Sequence, residues 1–335
     1  MTKINKSHIH LTLSHILNDD PDIALDDIRA KVPEIKSRII VQDTLVYMEE
    51  QQILMNPRLL IRNCEGYTNY YMIARVKSWD DLYRNVICRN YEFIDSALYI
   101  RSWEGNRLAY LKYHNELQKE VDDVLEEGPL EYYEVIYPQC ITDEKIENIG
   151  EPDEKSKIPA DKLDKRFDWD YDTKQVFEWL SINYRLNLTR IGKLLDISRT
   201  TAKRKKDLVK EFVHVHYPTY IQSLYSYTGV LSSFHTEYPG FVKGIFRNLS
   251  ATSYLLGNQK RTLCHINTTL PGYVIRVFEK LEAKAIIEDL NVEIPVKNWN
   301  RIQEEYKLGR IPEKLFWMFK RKKRKRIELP GSSFT

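Results

Sequence analysis

The sequence predicts an α+β protein built as tandem winged helix-turn-helix plus ferredoxin-like βαββαβ units. Three observations predict it. Residues Asn187 to Phe212 carry a helix-turn-helix pattern, and a related pattern occurs near the N-terminus. After each of them the hydrophobic period alternates between strand and helix in the order β-α-β-β-α-β.

Within Asn187 to Phe212, Asn187 is a natural cap, and Leu188, Ile191 and Leu195 recur on one helical face. Asp196-Ile197 makes the turn, and Ser198 caps a second helix. On that helix Arg199, Lys203, Lys206 and Lys210 fall in one stripe, while Ala202, Val209 and Phe212 face inward. A basic second helix of this kind is suited to a DNA major groove, with Thr200 and Thr201 as short donors near its start.

The N-terminal pattern has a helix over His10 to Leu17, a second carrying Leu25, Ile28 and Val32, and a third from Lys36 to Gln51. Leu25, Ile28 and Val32 recur as Leu188, Ile191 and Leu195, each 163 positions on, which marks an internal repeat. Pro57 is matched with Pro218 on the same reasoning.

In the first copy, strands are expected over Tyr70–Val76, Ile94–Arg101, Leu108–Tyr113 and Glu131–Tyr137, with helices over Trp79–Ile87 and Asn115–Glu126. In the second, strands are expected over Gly229–His235, Ala251–Leu256, Thr262–Asn267 and Ala285–Ile294, with helices over Tyr238–Phe246 and Gly272–Leu281. The stretch Ile141 to Arg166 reads as a linker, because 14 of its 26 residues are charged and none is aromatic. Trp299 to Phe319 has the apolar positions of a helix. The expected domains are winged helix-turn-helix units at 1–62 and 167–222 and ferredoxin-like units at 63–140 and 223–297. A charged linker occupies 141–166, and a helical extension with a basic tail occupies 298–335.

Composition narrows the function classes. No run of eighteen apolar residues and no signal-peptide core occurs, so no membrane association is expected. Cys64, Cys88, Cys140 and Cys264 form no C-x-x-C pair and read as reduced thiols of a cytoplasmic protein. The net charge of +3 conceals the run Lys320, Arg321, Lys322, Lys323, Arg324, Lys325 and Arg326; the remainder has 44 basic against 48 acidic residues. Such a run grips phosphates without sequence preference.

The two recognition helices differ. The second carries Arg199, Lys203, Arg204, Lys205, Lys206 and Lys210, whereas the first carries Lys36 and Arg38, followed by Ile39-Ile40-Val41. The second copy is therefore expected to supply most phosphate contacts, with Lys36, Ser37, Arg38 and Gln42 as the weaker set. An alternative makes Ile39-Ile40-Val41 an exposed protein contact. His214-x-His216 and His8-x-His10 place pairs of histidines on one strand face, but no nearby Cys or carboxylate completes a metal set. The aromatic-glycine signature of RNA-binding βαββαβ modules is absent.

A helix-turn-helix followed by β-α-β-β-α-β resembles the Lrp/AsnC transcription regulators, over roughly residues 10–137 and 170–295. The resemblance lies in architecture and in the helix-turn-helix stretch. Such regulators carry one copy and dimerise through the second, RAM-type domain, so two copies imply a covalent pseudo-dimer. It also implies double-stranded DNA as partner, a small-molecule effector such as an amino acid, and homo-oligomers. The resulting expectation is a DNA-binding regulator that is no enzyme and holds no cofactor or metal. The same architecture includes the siroheme decarboxylases, an enzyme alternative that requires a cationic pocket for substrate carboxylates and a His or Tyr proton donor. The chain has 22 tyrosines, and His265 beside Cys264 lies on an expected strand.

The asymmetry of the two helices is testable. Lys203→Ala with Arg204→Ala is expected to reduce duplex DNA affinity far more than Lys36→Ala with Arg38→Ala, and to lower the salt slope by ~0.9 per lost contact. A salt series with mixed duplex DNA measures both, and equal losses would contradict the asymmetry.

Overall fold

The computed structural model describes residues 3–91, 93–101, 107–115, 117, 121, 123–144, 146, 149–153, 156–301, 304, 307, 308 and 318. The fold is α+β. Helices α1 (Lys3–Asp19), α2 (Leu25–Lys31) and α3 (Arg38–Glu50) form the first helical unit around Leu13, Leu17, Ile28, Val41, Leu45 and Met48. Ser37 starts α3 by accepting a hydrogen bond from the Ile40 amide at 3.3 Å.

The second unit, α5 (Tyr171–Ile182), α6 (Leu188–Leu195) and α7 (Arg199–Phe212), uses the caps that its sequence suggests. The Asn187 side chain accepts from the Thr189 amide at 2.8 Å, and the Ser198 hydroxyl accepts from the Thr201 amide at 3.0 Å. Gly192 permits the tight turn between α6 and α7, since a Cβ there would lie 2.7 Å from the Ile197 carbonyl oxygen. Asp196 ends α6 in the left-handed conformation.

Between the helical units, strand β1 (Arg58–Ile61) pairs antiparallel with β9 (Val213–His216), Arg58 opposite His216 and Ile61 opposite Val213. This two-stranded ribbon relates the halves by an approximate twofold. Pro57 precedes β1 while Pro218 follows β9, so these prolines are not equivalent, contrary to the sequence match.

The two larger sheets have five strands each and exchange edges. The first runs β14 (Lys297–Asn300), β4 (Ile94–Arg101), β5 (Arg107–His114), β3 (Asn69–Arg75) and β6 (Val124–Pro129). The second runs β13 (Glu288–Glu293), β10 (Thr228–His235), β12 (Thr262–Thr268), β11 (Ser253–Gly257) and β7 (Tyr132–Ile136). Each sheet thus takes its last strand from the other half. Helix α8 (Pro239–Ile245) and α9 (Pro271–Ala283) cover one face of the second sheet around Phe234, Phe246, Leu255 and Phe278. The opposite faces of the sheets meet through Tyr71, Ile73, Ile100 and Tyr110 of the first sheet and Leu231 and Leu263 of the second.

Three expectations are corrected. The strand over 131–137 exists but pairs with β11, because its aromatic alternation fits the second sheet equally well. The fourth strand of the first sheet is β6, which begins in the last three residues of the stretch read as a helix over 115–126; residues 116, 118–120 and 122 of that stretch lie outside the described residues. Trp299 lies on a strand opposite Ala97, where it is 3% exposed, instead of starting a helix. The basic run 320–326 lies outside the described residues.

The charged stretch 141–166 is also more than a tether. Ile146, Ile149 and Ile158 pack on the second core. Asp143 accepts hydrogen bonds from the Ser250 amide at 2.8 Å and from the Thr269 amide at 2.7 Å. Its end, β8 (Lys162–Arg166), pairs parallel with β2 (Asn63–Glu65). This strap therefore ties the ribbon to the second sheet.

Edge exchange makes residues near the C-terminal end of the fold responsible for the first sheet. Trp299→Ala is expected to destabilise the chain by about 3–5 kcal/mol, measured by urea denaturation. A loss below about 1 kcal/mol would show that β14 is dispensable.

Candidate active site

Strand alternation sends Tyr132, Ile136, Leu255 and Cys264 of the second sheet toward its helices. The intervening residues Tyr133, Tyr254 and His265 face the other way, toward the ribbon. Tyr254 stands opposite Val135 on one side and His265 on the other. Gly229 makes room for His265, since a Cβ there would come 2.6 Å from its Nε2. The ribbon lays Arg58 and His216 over this face.

The contacts are close. The Arg58 guanidinium lies 5.2 Å from the centre of the Tyr254 ring. The ring centres of His216, Tyr133 and His265 are 5.7, 5.9 and 6.4 Å from that of Tyr254. His216 is 1% exposed and Tyr254 4% exposed. Both His216 ring nitrogens and the Tyr254 hydroxyl lack hydrogen-bond partners among the described residues. Buried polar atoms are rarely left this way, because each costs about 1–3 kcal/mol.

Burial dominates the electrostatics of this cluster. It holds His216 neutral well below the ordinary histidine range, helped by the positive charges of Arg58, His214 and Lys112. Burial and Arg58 lower His265 to about 4. The Tyr133 and Tyr137 hydroxyls are pushed far up by burial and stay protonated. Burial works against the charge of Arg58, but the surrounding Tyr254, Tyr220 and Tyr133 more than offset it, and the guanidinium remains charged.

Beside the cluster opens a cleft of about 710 Å³ between the ribbon, β7, α8 and the strap. Tyr133, Tyr137, His214 and His216 line it, together with the cations Arg62, Lys243 and Arg247. Arg62 donates to Asp161 of the strap at 2.7 Å, and the other Asp161 oxygen lies 3.0 Å from His214 Nε2. Lys243 pairs with Glu134. Arg247 is exposed and has no ion pair among the described residues. Three cations against two carboxylates, with Arg58 behind them, leave the lining with a net positive charge.

The residues singled out for DNA lie elsewhere. Ser198, Arg199, Thr200, Lys203 and Arg204 are exposed at the start of α7, with Thr201 half-buried. Lys205 and Lys206 are buried, paired with Asp170 and Asp22, and Lys210 also pairs with Asp22. Lys206 and Lys210 thereby hold α7 against the first helical unit, where Arg185 also donates to the Pro21 carbonyl at 3.2 Å. Lys36 and Arg38 are exposed, and Ser37 and Gln42 half-buried. In the alternative contact surface, Ile39 and Ile40 are exposed while Val41 is a core residue. The basic run 320–326 is outside the described residues.

The sequence reading weighed His214 and His216 only as metal ligands and missed Arg58, Tyr133, Tyr137, Asp161 and Tyr254. The signal within reach was alternation. The VHVH run of β9 puts two histidines on one side, and Tyr133 with Tyr137 share a face of the β7 run.

No protein-family model matches the chain. No curated protein matches it. Among solved structures it is similar to the siroheme decarboxylase NirDL, with a TM-score of 0.47 and 10% identity over 90% of this chain and 97% of that one. It is also similar to siroheme decarboxylase NirDL in co-complex with an iron-uroporphyrin III analogue, with a TM-score of 0.45 and 10% identity over 88% and 96% of the two chains. The likeness is one of overall arrangement at low identity. Both are structures of an enzyme, which runs against the expectation that this chain is no enzyme. At this identity, substrate and residue roles do not transfer with the fold.

The neutral histidines have a thermodynamic signature. A histidine whose pKa is lowered on folding binds fewer protons than in the unfolded chain, so stability falls as pH drops through the window between the two values. For His265 that window runs from the ordinary histidine value of 6.5 down to about 4. Each pH unit inside it costs up to about 1.4 kcal/mol. His265→Gln is expected to flatten the loss of stability between these values, read from urea midpoints across pH. An unchanged pH slope would show that His265 is not buried neutral.

Proposed function

We propose that the chain is an enzyme that decarboxylates a large polycarboxylate in the cleft, siroheme being the model for that substrate class. The observation that carries this reading is the cleft's combination of Arg62, Lys243 and Arg247 with protonated Tyr133 and Tyr137 and the fully buried, unpartnered His216. Cations on two sides of the cleft, Arg62 beside the ribbon, Lys243 on α8 and Arg247 just after it, suit the carboxylates that stay on the substrate. Its volume falls within the range of sites that enclose a sizeable ligand.

The reaction asks little else of the protein. When the bond between an arm carbon and its carboxylate breaks, carbon dioxide leaves and the electron pair stays on the carbon. A proton from a cleft hydroxyl then closes the valence, and water returns the proton to the donor. Tyr133 and Tyr137 are protonated at neutral pH, as any phenol is, and burial makes each a weaker acid, so the transfer is driven by the basicity of the carbanion. The weakly hydrated interior around His216 favours a step in which a localised charge is dispersed.

Anaerobic incubation with siroheme or iron-uroporphyrin III, followed by mass spectrometry, tests the proposal. Loss of carbon dioxide from the carboxylate arms is expected, and Tyr137→Phe is expected to slow turnover by about 100-fold or more. Unchanged mass for both compounds would contradict the reading.

A second reading, DNA contact by α7, is favoured by the exposure of Arg199, Thr200, Lys203 and Arg204 on its first two turns. The pairing of Lys206 and Lys210 with Asp22 limits that contact to the N-terminal half of the helix.

A further inference from the structure

The internal repeat provides a comparison for the buried cluster. β5 of the first sheet occupies the place of β12 in the second, and β4 the place of β11. Lys112 stands opposite Ser96 on β4 and Tyr71 on β3. His265 stands opposite Tyr254 on β11 and Leu231 on β10. Lys112 and His265 are therefore equivalent positions in the two halves.

The first half fills its position with its own carboxylate. Asp95 accepts from Lys112 Nζ at 2.6 Å and lies 3.6 Å from His114 Nδ1. Tyr67 stacks on His114 at 5.2 Å and closes the side. Lys112 and Asp95 are paired there, while His114 Nδ1 makes no hydrogen bond among the described residues. In the second half the half-buried Arg58 is ringed by tyrosines and has no carboxylate within ion-pair distance among the described residues. Among the described residues, three of the six buried side-chain polar atoms without a hydrogen-bond partner lie here, both ring nitrogens of His216 and the Tyr254 hydroxyl, against one, His114 Nδ1, in the first-half cluster.

We propose that Arg58, His216 and Tyr254 form a subsite for a single carboxylate, in the role that Asp95 plays for Lys112 and His114 in the first half. The subsite adjoins the cleft through His216 and Tyr133. A carboxylate presents only acceptors, and the box offers matching donors: a guanidinium N–H, a phenol O–H and an imidazole N–H. One guanidinium charge balances a monoanion, whereas a dianionic phosphate would leave a buried charge unmatched. Its identification as the pocket for one substrate arm rests on the decarboxylase reading, but its carboxylate chemistry does not.

Full-length protein with labelled histidines, titrated with sodium acetate against matched sodium chloride, tests this by NMR. Acetate is expected to shift the His216 and His265 signals saturably. Arg58→Gln and Tyr254→Phe should each weaken acetate about tenfold or more, and Lys193→Gln, exposed on α6 away from the cleft, should leave it unchanged. Tyr254→Phe removes one oxygen and keeps the ring, so it holds the fold if Arg58→Gln does not. Histidine signals that ignore acetate, or a Tyr254→Phe chain that binds it as the parent does, would overturn the subsite. Failure of the decarboxylase reading looks different, because iron-uroporphyrin III would then remain unchanged while acetate still bound with these effects.

Discussion

The pairing of β1 with β9 decides where the rest of the molecule can lie. Four residues from each half, in antiparallel register, fix the approximate twofold. With that register set, the two sheets face each other beneath the ribbon, and β7 and β14 reach across to complete the opposite sheet. A shift by one residue would turn Arg58 and His216 away from Tyr254, since side chains alternate along a strand. The cleft, the buried box and the strap all inherit their geometry from this ribbon.

Duplication inside one chain permits the halves to diverge. In a symmetric dimer both sites would be the same, because one sequence builds both. Here the first half keeps a closed Asp95–Lys112–His114 arrangement, and the second keeps uncharged histidines around a lone guanidinium. The helical units diverge as well. Lys206 and Lys210 of α7 are spent on Asp22, whereas the first recognition helix shows Ile39 and Ile40 to solvent. Part of the positive charge that looks like a nucleic-acid stripe is thus an internal fastening between units.

Much of the local structure was legible in the sequence. Asn187 and Ser198 cap the helices expected of them, and the strands of the second half lie within two residues of their expected bounds over Gly229–His235, Ala251–Leu256 and Thr262–Asn267. What remained hidden is long-range. The run Tyr132–Ile136 declares a strand but not which sheet it joins, because the period is the same for either partner. Trp299 fits a helical or a strand pattern when read alone, and its pairing with Ala97 spans some two hundred positions. The site shares this character. Arg58, Tyr133, His216, Tyr254 and His265 come from five strands, of which only β11 and β12 are consecutive, so no local motif announces them.

The central claim is that ligand binding occurs under the ribbon of the second half. Hydrogen exchange of the whole chain, with and without iron-uroporphyrin III, tests it most directly. The account predicts slowed exchange in β7, β9 and the strap around Asp161, with α7 unaffected. Protection confined to α7, or absent from β7 and β9 at saturating ligand, would contradict it.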